Sequence, residues 1–276
     1  MKIKMNKLVL TILLTVIAIL ILIPFAIMIS TSFKSYAEIT MWPPNLIPKT
    51  LNLENFSSVW NGDGNIKRAL LNSIIVSSSV MIICIFLGSF AAYGVSRFNF
   101  KGKNLFLFTI ILTQMFSPII LVGPMYKIIK ELGLLNSYLA MIIPNAAFAL
   151  PMTVWLLYGY LDGISPNLEE AAMLDGCTRR QAVTKIIMPL TAPGIITSGI
   201  FAFIVAWNDL LFARSFITQP QMRTISVTLT SYQSIFETSW HKIMAASVIS
   251  VIPVFLLFIV IQKYLIKGLV SSGVKE

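Results

Sequence analysis

The side chains most often used in catalysis are scarce in this sequence. It has one histidine, His241, and two cysteines, Cys84 and Cys177, among 276 residues. The cysteines form no C-x-x-C pair, and with a single histidine they make no recognisable set of metal ligands. No G-x-x-x-x-G-K-[ST] phosphate-binding loop occurs, and no paired carboxylates share an apolar run. The sequence therefore predicts a protein that is not an enzyme and that holds no metal or cofactor of its own.

The residues suited to protein recognition lie in one polar segment, EEAAMLDGCTRRQAVTKIIMP, Glu169 to Pro189. Just before it, Ser165 is a good N-cap and Pro166 a good first helical residue, and two glutamates in the first turn favour the helix dipole. The helix should end near Gly176, because glycine readily takes the left-handed conformation at a helix end. A second helix should run from about Thr178 until the proline. The segment thus predicts two short helices joined by a turn.

One face of the first short helix is suited to entering a groove on another protein. Leu168, Ala171, Ala172 and Asp175 recur at helical spacing, which gives a narrow face with two methyl side chains at its centre. The alternative is an amphipathic helix lying on the bilayer, but such helices favour large apolar residues and a basic polar face. We therefore expect this helix to dock on a protein.

The elements that must position this segment are built for lipid. Mean hydropathy is +0.83, and only 12% of residues are charged, against about 25% in soluble domains. The net charge of +10 comes from Lys and Arg scattered among the loops, without the basic stripe and interleaved aromatics of a nucleic-acid site. The composition predicts a polytopic membrane protein and excludes nucleic acid as a partner.

Uncharged runs long enough to cross a bilayer as helices occur six times, which predicts an all-α protein with six transmembrane helices. The runs are Leu8–Phe33, Ala69–Ser96, Asn104–Tyr126, Leu132–Leu161, Ile186–Asn208 and Ile243–Gln262. Several of the runs contain prolines that can kink a helix, among them Pro24, Pro118, Pro144, Pro151 and Pro253. In the fifth run Ser198, Ala202 and Ala206 form a small-residue stripe that predicts close helix packing.

The sequence also predicts how the spans are oriented. The first run exceeds the usual length of a signal-peptide core and lacks an A-x-A cleavage site, so we expect a retained helix. Six spans place both termini on one side, and placing them in the cytoplasm gives the inner segments more of the Lys and Arg residues. The outer segment Lys34–Arg68, with its prolines and NGDGN turn, should form a surface lobe with little regular core.

The polar segment carries a spaced motif that resembles a known family. Glu170, Ala171, Ala172, then Gly176, Ile186 and Pro189 follow the pattern EAA, three residues, G, nine residues, I-x-L-P, with Met188 in place of leucine. This is the EAA loop of the inner-membrane permease subunits of ATP-binding-cassette importers. The segments AWNDLLFA, LGLLNSYLAMIIPNAAFALP and QKYLIKGLVSSGVKE resemble carbohydrate-uptake permeases, specifically the shorter of two non-identical partners, the maltose permease G-subunit type.

The resemblance implies an architecture and a set of partners. It implies the MetI-like transmembrane fold of type I importers in the bacterial cytoplasmic membrane, with a first helix and outer lobe at 1–68, a core at 69–266 containing the EAA loop at 165–189, and a cytoplasmic tail at 267–276. The implied partners are a second, non-identical permease, a cytoplasmic ATPase dimer that binds ATP and Mg, and an extracellular or periplasmic sugar-binding protein that delivers the carbohydrate.

The resemblance also implies roles for particular residues. The ATPase-coupling set is Glu169, Glu170, Ala171, Ala172, Asp175, Gly176, Ile186 and Pro189. A flexible polar tail would contact the ATPases through Gly268, Ser271, Ser272 and Gly273, or would simply be a disordered end. Candidates for the substrate pathway are Trp207, whose ring could stack on a sugar, with Asn208, Asp209, Asn145 and Gln114. Asn145 and Gln114 could equally bridge helices. The loop Thr230–Lys242, which contains His241, would face the binding protein.

Two other transporter classes fit parts of the pattern. A proton- or sodium-coupled transporter would need acidic groups within its spans, and the six uncharged runs contain none. An ABC importer permease for a non-sugar solute shares the EAA loop, and only the carbohydrate-type segments argue against it. The sequence thus favours a carbohydrate importer permease.

Overall fold

The chain is helical in the computed structural model, which describes residues 7–62, 65–233 and 238–273. The α-helices are, in chain order, α1 (Lys7–Ser32), α2 (Tyr36–Thr40), α3 (Glu54–Asn61), α4 (Ile66–Arg97), α5 (Lys103–Thr113), α6 (Pro118–Glu131), α7 (Tyr138–Asp162), α8 (Asn167–Leu174), α9 (Arg179–Ala182), α10 (Met188–Trp207), α11 (Leu211–Phe216), α12 (Ile225–Thr230) and α13 (Trp240–Gly273). No strand occurs within these three ranges, which confirms the predicted all-α class.

The predicted spans are found with one exception. Among the described residues, five helical segments are long and apolar enough to cross a bilayer, and a sixth crossing results if the bent pair α5–α6 counts as one span. Four of the predicted runs correspond to the single helices α1, α4, α7 and α13. The first, α1, buries none of its apolar window within the chain, so its side chains are left for lipid or for another subunit.

The third predicted run is not one straight helix. It is divided into α5 and α6, whose axes meet at 95°, so the run predicted over Asn104–Tyr126 is a bent pair of helices and not a single helix. The break follows from Pro118, because a residue before proline avoids the α conformation, and Ser117 is indeed extended, with φ −69° and ψ 128°. Pro118 therefore opens α6 and does not kink a continuous helix.

The fifth run begins earlier than predicted. The helix that starts at Arg179 continues without a stop through a π-helical segment, Val183–Ile187, into α10, which ends at Trp207. The prediction that the second short helix ends at Pro189 was therefore wrong. Proline lacks an N–H and crowds the preceding turn, and the wider π turn directly before α10 accommodates it.

Within the described ranges the chain forms two compact units. The N-terminal unit contains residues 1–67 and 228–252, and the core unit contains residues 68–227 and 253–276. The sequence-based division at 1–68, 69–266 and 267–276 did not anticipate that residues 228–252 group with the first helix and outer lobe. The polar loop and the candidate pathway residues all belong to the core unit.

The core unit is organised around α7 and α10. These two helices pack against each other along much of their length. The predicted stripe of Ser198, Ala202 and Ala206 is fully buried, which confirms its packing role. Gly194 lets the backbones approach, since a Cβ there would lie 2.7 Å from the Cβ of Tyr160 on α7. The scaffold behind the site is thus a tightly packed helix pair.

The outer lobe in the N-terminal unit is held by polar contacts. The buried side chain of Asn55 on α3 donates hydrogen bonds from Nδ2 to the carbonyls of Ser32 (2.9 Å) and Lys34 (2.8 Å). The Lys49 N–H donates to Glu38 Oε1 at 2.8 Å. Two short helices, α2 and α3, are the only regular elements of this lobe among the described residues. The lobe thus has little regular core, as predicted.

The far end of the chain remains helical further than expected. Helix α13 continues through Gly273, so the backbone of Gly268, Ser271, Ser272 and Gly273 is helical where the sequence indicated a flexible tail. Residues 234–237 of the predicted outer loop Thr230–Lys242 lie outside the described residues.

Candidate functional site

The polar loop, residues 165–189, starts with the short helix predicted from its sequence. Helix α8 begins directly after Pro166, and Ser165 Oγ accepts a hydrogen bond from the Asn167 N–H at 3.3 Å. It ends in two backbone bonds, from Gly176 N to Met173 O (3.1 Å) and from Cys177 N to Ala172 O (3.0 Å). This is the Schellman arrangement, which requires a left-handed residue, and Gly176 has φ +90°. The predicted glycine turn is confirmed.

One side of α8 is buried against the rest of the core unit. Glu169 and Ala172 are each only 4% exposed. The carboxylate of Glu169 forms an ion pair with Arg97, with 2.7 Å between Nε and Oε1, and accepts a second hydrogen bond from Tyr93 Oη at 3.1 Å. Ionised groups are almost never fully buried unless paired. These two residues of the predicted coupling set therefore face inward and fix the helix to the chain's own spans.

The opposite side of α8 is exposed and partly apolar. Leu174 is 89% exposed, and Leu168, Ala171 and Asp175 are exposed on the same side. The face predicted for docking therefore needs correction, because Ala172 points inward and Leu174 takes its place. Glu170 is also exposed, next to this face. We call Leu168, Ala171, Leu174 and Asp175 the exposed face of α8. It leaves a large aliphatic side chain without cover within the described part of the chain.

The second half of the polar loop is anchored to the spans. A capping box starts α9, in which Thr178 Oγ1 accepts from Gln181 N (3.3 Å) and Gln181 Oε1 accepts from Thr178 N (2.8 Å). Ile187 is buried in an apolar cluster with residues of α4 and α7, and Ile186 packs against that cluster. Pro189 is exposed in the first turn of α10. Ile186 and Pro189 therefore lie at the base of the loop, where it joins α10.

A second group of predicted residues meets at the other end of α10. Asn145, 2% exposed on α7, donates from Nδ2 to Asp209 Oδ2 at 3.1 Å and to Met141 O at 2.9 Å. Asp209 also accepts from the N–H groups of Phe212 and Ala213, both at 3.1 Å. The carboxylate thus caps α11 and bridges α7 to α11. The bridging role that the sequence allowed for Asn145 is confirmed.

The other three candidate pathway residues are placed differently from one another. Trp207 is only 6% exposed and its ring stacks on Phe203, with centroids 5.6 Å apart. The ring therefore presents no open face to a sugar in this structure. Asn208 is exposed. Gln114 is exposed at the end of α5 and donates from Nε2 to Phe148 O on α7 at 3.3 Å, which confirms a helix-bridging role.

Several polar residues that position the site were not singled out from the sequence. Arg97 and Tyr93 lie four residues apart, on one side of α4, and both bind Glu169. At the opposite end of α4, Asn72 donates from Nδ2 to the carbonyls of Gln221 and Arg223, both at 2.9 Å, and its Oδ1 accepts from Tyr138 Oη at 2.8 Å. The signal for Arg97 was its position as the first charge after a long uncharged run. Nothing in the local sequence indicates the partners of Asn72.

Comparison with known proteins places this geometry in a family context. A family model described as "Binding-protein-dependent transport system inner membrane component" matches residues 84–271. That range includes the polar loop, the α7–α10 pair and the Asn145–Asp209 bridge, so the whole candidate site lies within the matched region.

Similar proteins of known name agree with this match over almost the full chain. The chain is 38% identical to the probable ABC transporter permease protein YurM of Bacillus subtilis, over 91% of this chain and 83% of that protein. It is 37% identical to the trehalose/maltose transport system permease protein MalG of Thermococcus litoralis, over 94% and 93%. A crystal structure of a bacterial ABC transporter involved in alginate import matches the fold with a TM-score of 0.77, covering 94% of this chain and 95% of that one at 24% identity.

Proposed function

Because the chain belongs to the family of binding-protein-dependent transport system inner membrane components, we propose that it is one of two permease subunits that form a pathway for a sugar or oligosaccharide. The chain is a multi-pass inner-membrane transport component and not an enzyme. In the proposed complex a solute-binding protein delivers the sugar on the outer side, and a cytoplasmic ATPase dimer binds ATP and Mg and supplies the energy.

One observation carries the coupling part of the proposal. The polar loop presents an exposed aliphatic face on a short helix whose other side is fixed by the buried Glu169–Arg97 ion pair. Such a helix can fit a groove on an ATPase and transmit its displacement, since a rigid element transmits movement better than a flexible loop. The sequence contains no phosphate-binding loop, so the energy would have to come from another subunit. Glu170, Ala171 and Asp175 would make the contact, and Gly176 would keep the turn.

The sugar specificity of the proposal draws on the relatives. One relative is named for trehalose and maltose transport, and the segments that carry the carbohydrate-type resemblance include the residues around Asp209. Asn208, exposed next to this carboxylate, is the pathway residue best placed to meet solute. Trp207 is omitted because its ring is covered. The second permease would supply the rest of the site, since sugar contacts use several polar groups around a cavity.

The membrane orientation follows the Lys and Arg distribution, with both termini and the polar loop in the cytoplasm. The described part of the loop Thr230–Lys242 and the outer lobe then face the binding protein. Closure of the ATPase dimer would displace α8 and rock the spans between inward and outward access.

Co-purification from native membranes tests the assembly. The tagged chain should bring down a second permease and an ATPase, and a sugar-binding protein with its sugar should stimulate ATP hydrolysis by the reconstituted complex. Screening candidate oligosaccharides in the same assay identifies the ligand. Recovery of the chain alone, with transport driven by an ion gradient without ATP, would contradict the proposal. Stimulation by a non-sugar solute would support the proposed importer and contradict its proposed specificity for a sugar.

A further inference from the structure

Arg97 is the last residue of α4, and its side chain is almost completely buried, with 4% exposure. Its guanidinium contacts three different parts of the core unit. Nε donates to Glu169 on α8 at 2.7 Å, Nη1 donates to the carbonyl of Leu161 at 3.2 Å, and Nη2 donates to the carbonyl of Ile164 at 3.0 Å. The two carbonyls lie at the C-terminal end of α7 and just beyond it. One side chain thus joins α4, the end of α7 and α8.

The partner carboxylate is fixed from two directions. Tyr93, one helical turn before Arg97 on α4, donates to Glu169 Oε2 at 3.1 Å, while Arg97 holds Oε1. Both oxygens therefore bind the same helix. An acid in the first turn of α8 and a cation at the C-terminal end of α7 also suit the dipoles of those two helices. Each of these two helix ends thus lies next to a side chain of opposite charge. With both of its oxygens bound, the Glu169 side chain has little freedom to move.

This contact adds a side-chain connection to the short backbone linker between α7 and α8. The backbone leads from α7 to α8 only through Gly163 to Pro166, and a force on α8 that travelled along this short linker would bend it. The guanidinium provides a second, side-chain connection, and its planar fork can bind several acceptors in a fixed geometry, which a lysine ammonium does not do.

We propose that Arg97 is a positioning residue that clasps α8 to the ends of α4 and α7, so that the loop and these two spans move as one body during transport. The inference rests on the proposed function, because it assigns the means by which a displaced loop moves the spans. It adds Arg97 and Tyr93 to the coupling set, which already contains Glu169, and gives all three a role within the chain: they hold α8 in place.

The decisive variant removes the ion pair without leaving a charge. A single Arg97→Gln change would leave Glu169 buried and unpaired, which destabilises proteins whatever the role of the pair. The double variant Arg97→Gln/Glu169→Gln has no uncompensated charge and keeps side chains of similar size, so it should insert and assemble. Arg180→Gln is the matched control, because Arg180 is exposed on the same loop.

Two measurements on each variant separate clasping from stability. The first is amide hydrogen exchange of residues 167–175 in the purified full-length chain in nanodiscs. The second is the number of sugar molecules imported per ATP hydrolysed, in proteoliposomes that contain the whole complex. The double variant should exchange faster over 167–175 and import about tenfold less sugar per ATP, while the ATPase still co-purifies. Arg180→Gln should match the wild type in both.

The outcomes that overturn the inference differ from those that overturn the proposed function. Wild-type exchange over 167–175 in the double variant would show that the pair does not hold α8. Wild-type sugar import per ATP would show that the clasp is not needed for coupling. By contrast, a wild-type complex that recruits no ATPase would reject the proposed function, and the exchange measurement would still decide whether Arg97 holds the loop.

Discussion

At the scale of single residues, the polar loop divides its acidic and small side chains between two tasks. Glu169 and Ala172, three residues apart, face the spans, whereas Ala171 and Asp175 face outward. Neighbouring residues of one short motif therefore differ in what their substitution should affect. A change at the inward pair should loosen the loop, and a change on the exposed face should weaken docking.

Gly176 offers a direct test of the turn. Its φ of +90° is strained for any side chain, and a Cβ there would meet no atom within 4 Å, so a substitution acts through the backbone alone. We expect Gly176→Val to cost at least about 1–2 kcal/mol in local strain and to reduce sugar-stimulated ATP hydrolysis strongly, while membrane insertion is unchanged. Reconstituted ATPase assays measure the effect.

Two further variants control for the strain itself. Gly176→Asn should be milder, because asparagine tolerates the left-handed conformation. Gly133 also has a positive φ, +68°, with no atom near its Cβ, but it lies at the end of α6, outside the loop. If Gly133→Val reduces hydrolysis as much as Gly176→Val, the loss reflects general strain and not the loop.

At the scale of elements, the exposed face of α8 and the buried contact of α7 with α10 are opposite kinds of surface. The first is exposed and only partly apolar, and the second is close-packed around small residues. The helix pair provides the rigid support, and the exposed face provides the contact that the chain itself leaves open.

The exposed face predicts a loss of binding without a loss of stability. Leu174→Glu places a charge where a leucine, if buried in a groove, would stabilise the contact by about 1.5–3 kcal/mol. We therefore expect the affinity of the purified chain for the ATPase to fall by about tenfold or more. The free energy of unfolding of the chain should be unchanged. Thr184→Glu, exposed on the same loop but outside α8, should bind normally. Equal affinity for wild type and Leu174→Glu would exclude this face as the contact.

The close approach of α7 and α10 predicts the reverse: a substitution there should reduce the stability of the chain and not remove a contact with the ATPase. An alanine at Gly194 would bring its Cβ within 2.7 Å of the Cβ of Tyr160, an atom that side-chain rotation cannot move away. Gly194→Ala should therefore destabilise the chain by about 1–3 kcal/mol, measured by thermal unfolding in detergent. Gly159→Ala on α7 is the control, because its Cβ would meet nothing within 4 Å, and it should be neutral or slightly stabilising.

The sequence identified elements more reliably than contacts. The all-α class, the glycine turn of α8 and the small-residue stripe followed from local rules about capping, left-handed residues and apolar runs. Three features were not predicted: Glu169 is drawn inward by Arg97 from another segment, Trp207 is covered by Phe203 one turn earlier on its own helix, and Pro189 lies in a helix that a π turn makes continuous. No periodicity in one segment reports a partner on another.

At the scale of the whole molecule, the native cysteines can report the orientation of the loop. Cys84 is buried, whereas Cys177 is partly exposed next to Gly176. A membrane-impermeant maleimide should therefore label Cys177 in inverted membrane vesicles but not in intact cells or right-side-out vesicles, if the loop is cytoplasmic. Cys177→Ser should abolish the signal.

A second site calibrates that labelling experiment. Leu51→Cys in the Cys177→Ser background places a thiol at a 73% exposed position of the outer lobe, and it should react from the opposite side. Labelling of Cys177 in intact cells would reverse the proposed topology and move the exposed face of α8 to the side where no ATP is available.

The π-helical segment Val183–Ile187 bears on how α8 and α9 are oriented about the axis of α10. A π turn contains one residue more than the equivalent α turn, and each residue of an α-helix turns the chain by about 100°. Deleting one residue from this segment would replace the π turn by a regular α turn, so α9 and α8 would keep nearly the same direction about the axis of α10, whereas a deletion within the α-helical part of α10 would rotate them by about 100°. The π turn therefore absorbs one residue without changing the direction in which the loop points, and a chain with one residue fewer in this turn would present the exposed face of α8 on the same side.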